Sequence, residues 1–282
     1  MVAAPFSYGQ PMTDTPKLDL PAAITALLFD LDGVLTKTAL VHDKAWKQTF
    51  DAFLKQRAEA RGEEFVEFDP DSDYNEYVDG KPRYDGVRSF LESRGITLPE
   101  GEPDDPPTAE TICGLGNRKN DMVLELIAKD GVEPYAGSVA FVKAAREVGL
   151  RRAVVSASAN CKDVLEAAGI ADLFEARIDG IVADEQHLKG KPAPDPYLAG
   201  ARALGVEPVA ACVFEDAVSG VEAGAAGHFG HVVGVDRVNH AKALREHGAD
   251  VVVDDLAELI LGDDPQLRGD SAGGPAGSGD PS

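Results

Sequence analysis

The sequence lacks the features that mark membrane proteins, disulfide-bonded secreted proteins and zinc sites. None of its apolar runs approaches the ~20 residues that a transmembrane helix needs, and it shows no basic segment followed by an apolar one, as a signal peptide would. Its three cysteines have no C-x-x-C spacing, and its six histidines have no H-x-H or H-E-x-x-H spacing. We therefore expect a cytoplasmic protein with reduced thiols, no membrane segment and no zinc site.

Positive charge is scarce as well. The chain contains 27 Lys and Arg residues against 49 Asp and Glu residues, which gives a formal net charge of −22. Such a chain repels nucleic acid and anionic membrane surfaces, so neither is an expected partner. It also repels phosphorylated substrates at long range, so a phosphate site has to be built locally from a few cationic side chains and backbone amides. We expect a monomer, with an oligomer left open.

Strand-like and helix-like segments alternate along most of the chain. This alternation predicts an α/β fold, with a Rossmann-like parallel sheet that carries helices on both faces. The predicted strands are Ile24–Leu31, Arg152–Ser156, Ile178–Val182, Ala210–Glu215, His231–Val235 and Asp250–Val253. The predicted helices of this part are Ser138–Val148, Cys161–Ala168, Pro194–Leu204, Ser219–Ala226 and Ala241–Glu246.

One region after the first strand interrupts the alternation, because it contains helical stretches and no convincing strand. We predict that it forms an α-helical cap domain inserted into the core, and a lid of this kind excludes water from an anionic centre. The helices predicted within it are Ala45–Gln56, Tyr84–Ser93 and Lys119–Ala128. The predicted division is a disordered tail at 1–20, a core domain at 21–38 and 131–262, the cap at 39–130, and a disordered tail at 263–282.

Four short polar segments follow predicted strands or precede a predicted helix. Taken singly, each has an ordinary explanation as a solvated turn, a helix cap or a loop lysine. Open α/β sheets, however, place their chemistry just beyond the carboxyl ends of strands, so the joint appearance of all four is far more specific. The segments are Asp30-Leu31-Asp32, Ser156-Ala157-Ser158, the Lys191 loop at 189–194, and Glu215-Asp216.

These residue types suit phosphoryl transfer. Carboxylates from two strands, together with water and phosphate oxygens, are the ligands that Mg²⁺ prefers. A free carboxylate can attack phosphorus and form an aspartyl-phosphate, and a second carboxylate nearby can move protons. A hydroxyl and an ammonium group can neutralise charge on the transferring group.

The four segments resemble the four motifs of the haloacid dehalogenase superfamily of phosphotransferases. The resemblance implies that Asp30 is the nucleophile and Asp32 the general acid/base. The dehalogenases themselves lack the second aspartate, so Asp32 argues for phosphate chemistry. The resemblance also implies that Ser156 and Lys191 bind phosphate. The implied Mg²⁺ site comprises Asp30, the backbone carbonyl of Asp32 and Asp216, with Glu215 beside them.

A finer resemblance is to the β-phosphoglucomutase family. In that family a histidine of a His-x-x-Ala-Trp stretch, with a lysine of a Lys-Asn-Asp stretch, couples cap closure to the general acid/base. His42 and Lys119 stand at the matching places here. An arginine of a Gly-x-x-Arg stretch, here Arg83, binds the phosphate that is not transferred. The resemblance adds Ala157, Ser158 and Asn160 to the substrate-binding residues.

Three departures from the family pattern bear on the substrate, the first being Lys37, which replaces the usual acidic residue after the first motif. Ala159 stands where the family has a lysine that helps to hold the second phosphate, and additional residues extend the cap near 95–115. Without the family, the cap residues also have structural explanations. His42 lies one helical turn from a tryptophan and fits packing, Lys119 fits a solvated helix position, and Arg83 fits pairing with an acidic neighbour.

The resemblance implies a Mg²⁺-dependent enzyme acting on a small-molecule sugar phosphate. The first reading is a mutase that converts β-D-glucose 1-phosphate into glucose 6-phosphate through glucose 1,6-bisphosphate. The second is a sugar-phosphate phosphatase of the same fold, in which water accepts the phosphoryl group. The third is a catalytically silent binding protein on an enzyme-derived fold.

Overall fold

The computed structural model describes residues 15–261. Among them, no helix is both long enough and apolar enough to cross a lipid bilayer. The strands are β1 (Lys17–Leu18), β2 (Ala26–Phe29), β3 (Arg151–Val155), β4 (Ala176–Ile178), β5 (Ala211–Glu215), β6 (His231–Val235), β7 (Val251–Val253) and β8 (Ile260–Leu261). The helices are α1 (Ala39–Arg61), α2 (Arg83–Ser93), α3 (Ile112–Asp130), α4 (Ala136–Glu147), α5 (Cys161–Ala167), α6 (Gly180–Glu185), α7 (Asp195–Leu204), α8 (Val218–Ala226) and α9 (Ala241–Glu246).

The central sheet places the end of β2 between two neighbouring strands. Its six strands run parallel in the order β4-β3-β2-β5-β6-β7. Phe29, the last residue of β2, is in register with Val154 of β3 on one side and Phe214 of β5 on the other. The strand order changes direction at β2, and open α/β sheets bind their ligands at such a switch point. The residues that follow β2, β3 and β5 therefore meet at one edge of the sheet.

Side chains of β2 alternate between two hydrophobic cores. Leu27 and Phe29 join the core on one face, where Phe29 stacks on Phe214 with ring centroids 4.6 Å apart. Ala26 and Leu28 join the core on the other face. This alternation is the two-residue period of a strand that is buried on both faces, as the continuous apolar run predicts.

The cap lies between β2 and α4 and has an aromatic core of its own. Trp46 stacks on Phe50 at 5.1 Å, and Phe50 contacts Phe90 at 4.1 Å between ring centroids. The helices α1, α2 and α3 supply most of this core, and the remainder comes from a π-helix at Tyr74–Val78 and from Phe68 and Ile96 in the connecting segments. The predicted α/β fold with an inserted helical cap is confirmed, and no strand interrupts the described part of the cap.

One predicted strand, Ile178–Val182, is wrong for most of its length, because β4 ends at Ile178 and α6 begins at Gly180. Asp179 explains the change. Its buried side chain accepts a hydrogen bond from the backbone N–H of Val182 at 2.9 Å and caps α6. An apolar Ile-Val pair fits a strand or a helix equally well. Here the helix-capping bond to Asp179 selects the helix.

Both ends of the cap helices α1 and α3 extend beyond the predicted bounds. The structure begins α1 at Ala39 rather than Ala45 and α3 at Ile112 rather than Lys119. The early start of α3 follows from Thr111, whose side chain accepts a hydrogen bond from the N–H of Gly114 at 2.9 Å.

The predicted N-terminal tail, residues 1–20, differs from the structure where it is described. Lys17–Leu18 pairs antiparallel with Ile260–Leu261, and the N–H of Asp19 donates to the carbonyl of Leu259 at 2.8 Å. The chain is therefore structured before residue 21. Residues 1–14 and the predicted tail at 263–282 lie outside the described residues. The exact boundaries between core and cap stay a prediction.

Candidate active site

A cavity between the cap and the carboxyl edge of the sheet brings together all but one of the residues that the sequence singled out. Glu215 alone of this set lies behind the wall, where it contacts a lining residue. The predicted residues that line the cavity are Asp30, Asp32, His42, Arg83, Lys119, Ser156, Ala157, Ser158, Asn160, Lys191 and Asp216.

Lys191 binds the carboxylate that follows β2. Its Nζ lies 2.5 Å from Oδ1 of Asp30 and also donates to Oε1 of Glu215. Only 4% of the Lys191 residue is exposed. Burial opposes its charge, but the two carboxylates outweigh that effect and raise the pKa of Lys191, so the ammonium stays protonated. A buried positive charge is therefore present beside Asp30, at the place where the sequence predicts a phosphate-binding lysine.

Glu215 is fully buried, and each of its carboxylate oxygens accepts hydrogen bonds. Oε1 accepts from Lys191 and from the hydroxyl of Tyr197 at 2.9 Å, while Oε2 accepts from the N–H of Ala217 at 3.0 Å. A buried carboxylate needs such donors, because without them its desolvation costs several kcal/mol. Glu215 thereby orients Lys191.

Three carboxylates form a cluster at this edge of the sheet. One oxygen from each of Asp30, Glu215 and Asp216 lies within 4.8 Å of the others. Burial raises the pKa of both Asp30 and Asp216, and their carboxylate neighbours raise it further. Lys191 alone does not balance this charge. The Asp216 side chain accepts no hydrogen bond from the described residues, and it lies in space left by Gly33, where a Cβ would be 1.7 Å from its Oδ2. An oxygen donor set of this kind fits Mg²⁺.

Asp32 lies beside this cluster and is held by threonine and histidine. The hydroxyl of Thr38 donates to Oδ1 of Asp32 and lies 2.6 Å from the hydroxyl of Thr36. The Nε2 atom of His42 lies 3.5 Å from the same oxygen. Asp32 is thus positioned in the cavity next to Asp30, as the Asp-x-Asp spacing predicts.

Lys119 of α3 connects the cap to Asp32 through His42. Its Nζ donates to Nδ1 of His42 at 2.8 Å and lies 4.7 Å from the ring of Trp46. Burial lowers the pKa of Lys119 to about 7. Burial, together with the Lys119 charge, lowers the pKa of His42 to about 4, so this imidazole is neutral at neutral pH. Since Nδ1 accepts from Lys119, the ring proton lies on Nε2, which faces Asp32.

The loop after β3 folds back on itself at the cavity wall. The hydroxyl of Ser156 accepts from the N–H of Ser158 at 3.1 Å, and the hydroxyl of Ser158 accepts from the N–H of Asn160 at 3.1 Å. The side-chain amide of Asn160 donates to Oδ1 of Asn120 on α3 at 3.0 Å. The loop therefore joins the core to the cap as well as lining the cavity.

Arg83 opens α2 on the cap side of the cavity. Its guanidinium forms no salt bridge within residues 15–261, although the chain is strongly acidic. The nearby Arg88 pairs with Asp85 and Glu100 instead. A cation that faces a cavity without an acidic partner is available to an anionic ligand.

A carboxylate on the cap was missed by the sequence analysis. Asp79 lines the cavity, and burial, with repulsion from Glu215, raises its pKa to about 7. The backbone carbonyl of Asp79 accepts from the hydroxyl of Ser219 at 3.0 Å, a further contact between cap and core. The sequence gives no signal for this placement beyond the proximity of Asp79 to the Gly-x-x-Arg stretch.

Comparisons with known proteins agree with this geometry. Residues 24–228 match the haloacid dehalogenase-like hydrolase family. A β-phosphoglucomutase of Mycobacterium tuberculosis is 57% identical over 246 residues, covering 86% of this chain and 94% of that protein. A β-phosphoglucomutase of Bacillus subtilis is 28% identical over 237 residues, covering 84% of this chain and 92% of that protein.

A solved structure extends the likeness to three dimensions. The β-phosphoglucomutase of Clostridium difficile matches with a TM-score of 0.66 and 26% identity, covering 84% of this chain and 93% of that one. Fold, cavity residues and relatives agree, and the chain is an enzyme of the haloacid dehalogenase-like hydrolase family, within its β-phosphoglucomutase-like subfamily.

Proposed function

We propose that this enzyme is a Mg²⁺-dependent β-phosphoglucomutase. It interconverts β-D-glucose 1-phosphate and glucose 6-phosphate through glucose 1,6-bisphosphate, with a phosphoryl group carried on Asp30. The observation that carries the proposal is that one cavity has a cationic side chain on its core side and another on its cap side. Lys191 lies beside Asp30 at the sheet edge, and on the cap lies the guanidinium of Arg83, which pairs with no carboxylate in the described part of the chain. A mutase needs both, because its intermediate carries two phosphates.

The donor set at the sheet edge suits the metal. Asp30, Asp216 and the backbone carbonyl of Asp32 would hold Mg²⁺, with Glu215 beside them. When bound, the ion supplies positive charge that offsets the negative charge of the phosphoryl oxygens. Lys191 and Ser156 add a cation and a hydroxyl to the same task.

In the first half of the reaction the C6 hydroxyl of β-glucose 1-phosphate attacks the phosphorus carried on Asp30. The bond from phosphorus to the sugar oxygen forms as its bond to the Asp30 carboxylate breaks, and Asp32 accepts the hydroxyl proton. Lys191 stays paired with the carboxylate that is released. Arg83 holds the C1 phosphate, which is not transferred in this half.

In the second half the glucose 1,6-bisphosphate turns around, so that the C1 phosphate faces Asp30. Asp30 attacks this phosphorus, the bond from phosphorus to the C1 oxygen breaks, and Asp32 returns its proton to that oxygen. Arg83 now holds the C6 phosphate. The product is glucose 6-phosphate, and the enzyme again carries a phosphoryl group.

A mutase has to keep water away from the phosphorylated aspartate. The chain of contacts from Lys119 through His42 to Asp32 supports such control, because two of its members belong to the cap and the third to the core. Asp32 is then aligned as a base only when the cap has closed over a sugar. Water, which does not close the cap, meets a misaligned base.

The test supplies Mg²⁺, β-glucose 1-phosphate and a trace of glucose 1,6-bisphosphate to the purified enzyme. Formation of glucose 6-phosphate without net release of inorganic phosphate is expected, and Asp30→Asn serves as the inactive control. Release of one phosphate for each sugar consumed would instead identify a phosphatase. Ala159 is compatible with this alternative, because the lysine that helps to hold the second phosphate is missing there. A silent binding protein would produce neither change.

A further inference from the structure

The Arg83 guanidinium lies over the aromatic ring of its own neighbour. Its central carbon is 4.9 Å from the ring centroid of Tyr84, within the range of a cation–π contact. Adjacent residues on a helix point in different directions and do not normally face each other. The contact therefore depends on what holds the Tyr84 ring in place.

The ring of Tyr84 packs against a gap in α3 that Gly116 provides. A Cβ at position 116 would lie 2.6 Å from Cδ1 of Tyr84, closer than such atoms approach. The Tyr84 hydroxyl donates to Oδ1 of Asn117 at 2.9 Å. The bare backbone of Gly116 thus lies against the Cδ1–Cε1 side of the ring, and Asn117 holds its hydroxyl.

The same asparagine also holds the extra segment of the cap. The side-chain amide of Asn117 donates to the carbonyls of Pro103 and Asp105, at 3.0 and 2.8 Å. The next residue, Arg118, donates through Nε to the carbonyl of Pro107 at 2.7 Å. Hydrogen bonds therefore attach the segment 99–111 to the start of α3. One of the residues that make them, Asn117, also accepts the bond from the Tyr84 hydroxyl.

Arg83 has a particular need for such support. Position 159, on the core side of the cavity, is an alanine and contributes no charge. Lys81, two residues before Arg83, also lines the cavity, but its Nζ donates to Oγ of Ser89 at 3.0 Å and to the carbonyl of Glu76 at 3.2 Å. An arginine that is mobile before binding loses side-chain entropy when it binds an anion. If its side chain is already held in place, this entropic cost of binding is avoided.

We propose that Tyr84 is a positioning residue that holds Arg83 toward the non-transferred phosphate, and that the segment 99–111 acts on substrate affinity through Tyr84. The inference rests on the proposed function, because it assigns to Arg83 the second phosphate of a mutase. It explains what the extra cap segment does. In the family pattern, Arg83 and a lysine at position 159 would share this phosphate. Here the segment supports the single cation that remains, Arg83.

The test compares Tyr84→Leu, which removes the ring, with Gly116→Ala, which leaves Tyr84 intact and displaces it. Both should raise the KM for β-glucose 1-phosphate about tenfold and change kcat by less than about twofold, since the contact acts on binding. Hydrolysis of p-nitrophenyl phosphate, which has no second phosphate, should not change. Tyr84→Phe keeps the ring but loses the bond to Asn117, so its KM should rise by only about threefold, which measures the contribution of segment 99–111.

Tyr77→Leu is the matched control, because Tyr77 packs in the same cap core and does not line the cavity. Its KM should equal that of wild type even if its melting temperature falls. If the wild type is active and the KM is unchanged in both Tyr84→Leu and Gly116→Ala, this inference is overturned and the proposed function is not affected. Equal loss of both activities also overturns it, since that indicates general damage. A wild type that forms no glucose 6-phosphate refutes the proposed function instead.

Discussion

The carboxylate of Asp216 occupies the space in which a side chain at Gly33 would begin. A Cβ at position 33 would lie 1.7 Å from Oδ2 of Asp216, and the φ angle of Gly33 is +84°. Only glycine adopts this backbone conformation without strain. The turn after Asp32 thus brings the chain close enough to β5 for one carboxylate of the cluster to lie against it.

Substitution Gly33→Ala should therefore displace Asp216 and weaken metal binding. We expect Mg²⁺ affinity to fall about 10- to 100-fold, the range found when the support of a metal ligand is removed. Calorimetric titration of the purified protein with Mg²⁺ measures this directly. Gly62→Ala, at a positive φ with no neighbour within 4 Å of its Cβ, controls for backbone strain. Equal affinity in wild type and Gly33→Ala would remove Asp216 from the site.

Removal of the Arg83 guanidinium should separate mutase from hydrolase activity. We expect Arg83→Ala to lower kcat/KM for β-glucose 1-phosphate about 100-fold, as truncation of a charged contact to a bound anion does. Hydrolysis of a small phosphoester, measured by phosphate release, should persist. Arg88→Ala is the matched control, since Arg88 lies in the same helix and pairs with surface acids. A similar loss of both activities would contradict the role given to Arg83.

Loss of the His42 imidazole should let water compete with the sugar. His42→Gln removes the ring that links Lys119 to Asp32, so alignment of Asp32 no longer depends on cap closure. We expect inorganic phosphate released per glucose 6-phosphate formed to rise severalfold. Coupled assays for the two products measure this ratio. A ratio that stays constant while the overall rate falls would show that His42 does not link the cap to Asp32.

Lys119 should make stability depend on pH in a defined direction. Burial lowers its pKa to about 7, against about 10.4 in an unfolded chain. Between these values the unfolded state binds more protons, so the free energy of unfolding rises with pH. From pH 7 to 9 wild type should gain at most about 3 kcal/mol relative to Lys119→Met. Urea unfolding at both pH values tests this, and parallel changes in the two proteins would contradict it.

Local patterns in the chain were sufficient to predict the sheet and the residues at its edge. Apolar runs that end in Asp30 or Glu215 identify buried strands and the polar groups that follow them, since both properties depend on neighbours in sequence. His42, Lys119 and Arg83 came from a family resemblance, and their placement in one cavity agrees with it. Local pattern was insufficient at Ile178–Val182. There the capping bond to Asp179 starts a helix in a stretch whose apolar residues predict a strand.

Other parts of the site depend on contacts between residues that are far apart in the chain. Lys191 and Asp30 are separated by 161 residues, and their ion pair exists because strand register brings their loops together. The placement of Asp79 in the cavity, the bonds from Lys191 and Tyr197 to Glu215, and the bond from the Tyr84 hydroxyl to Asn117 arise in the same way. Residue types and their spacing thus specify which chemical groups are available and at which strand ends. Packing of the cap on the sheet decides which of them share one cavity, because distances across that interface are not written in any short stretch of residues.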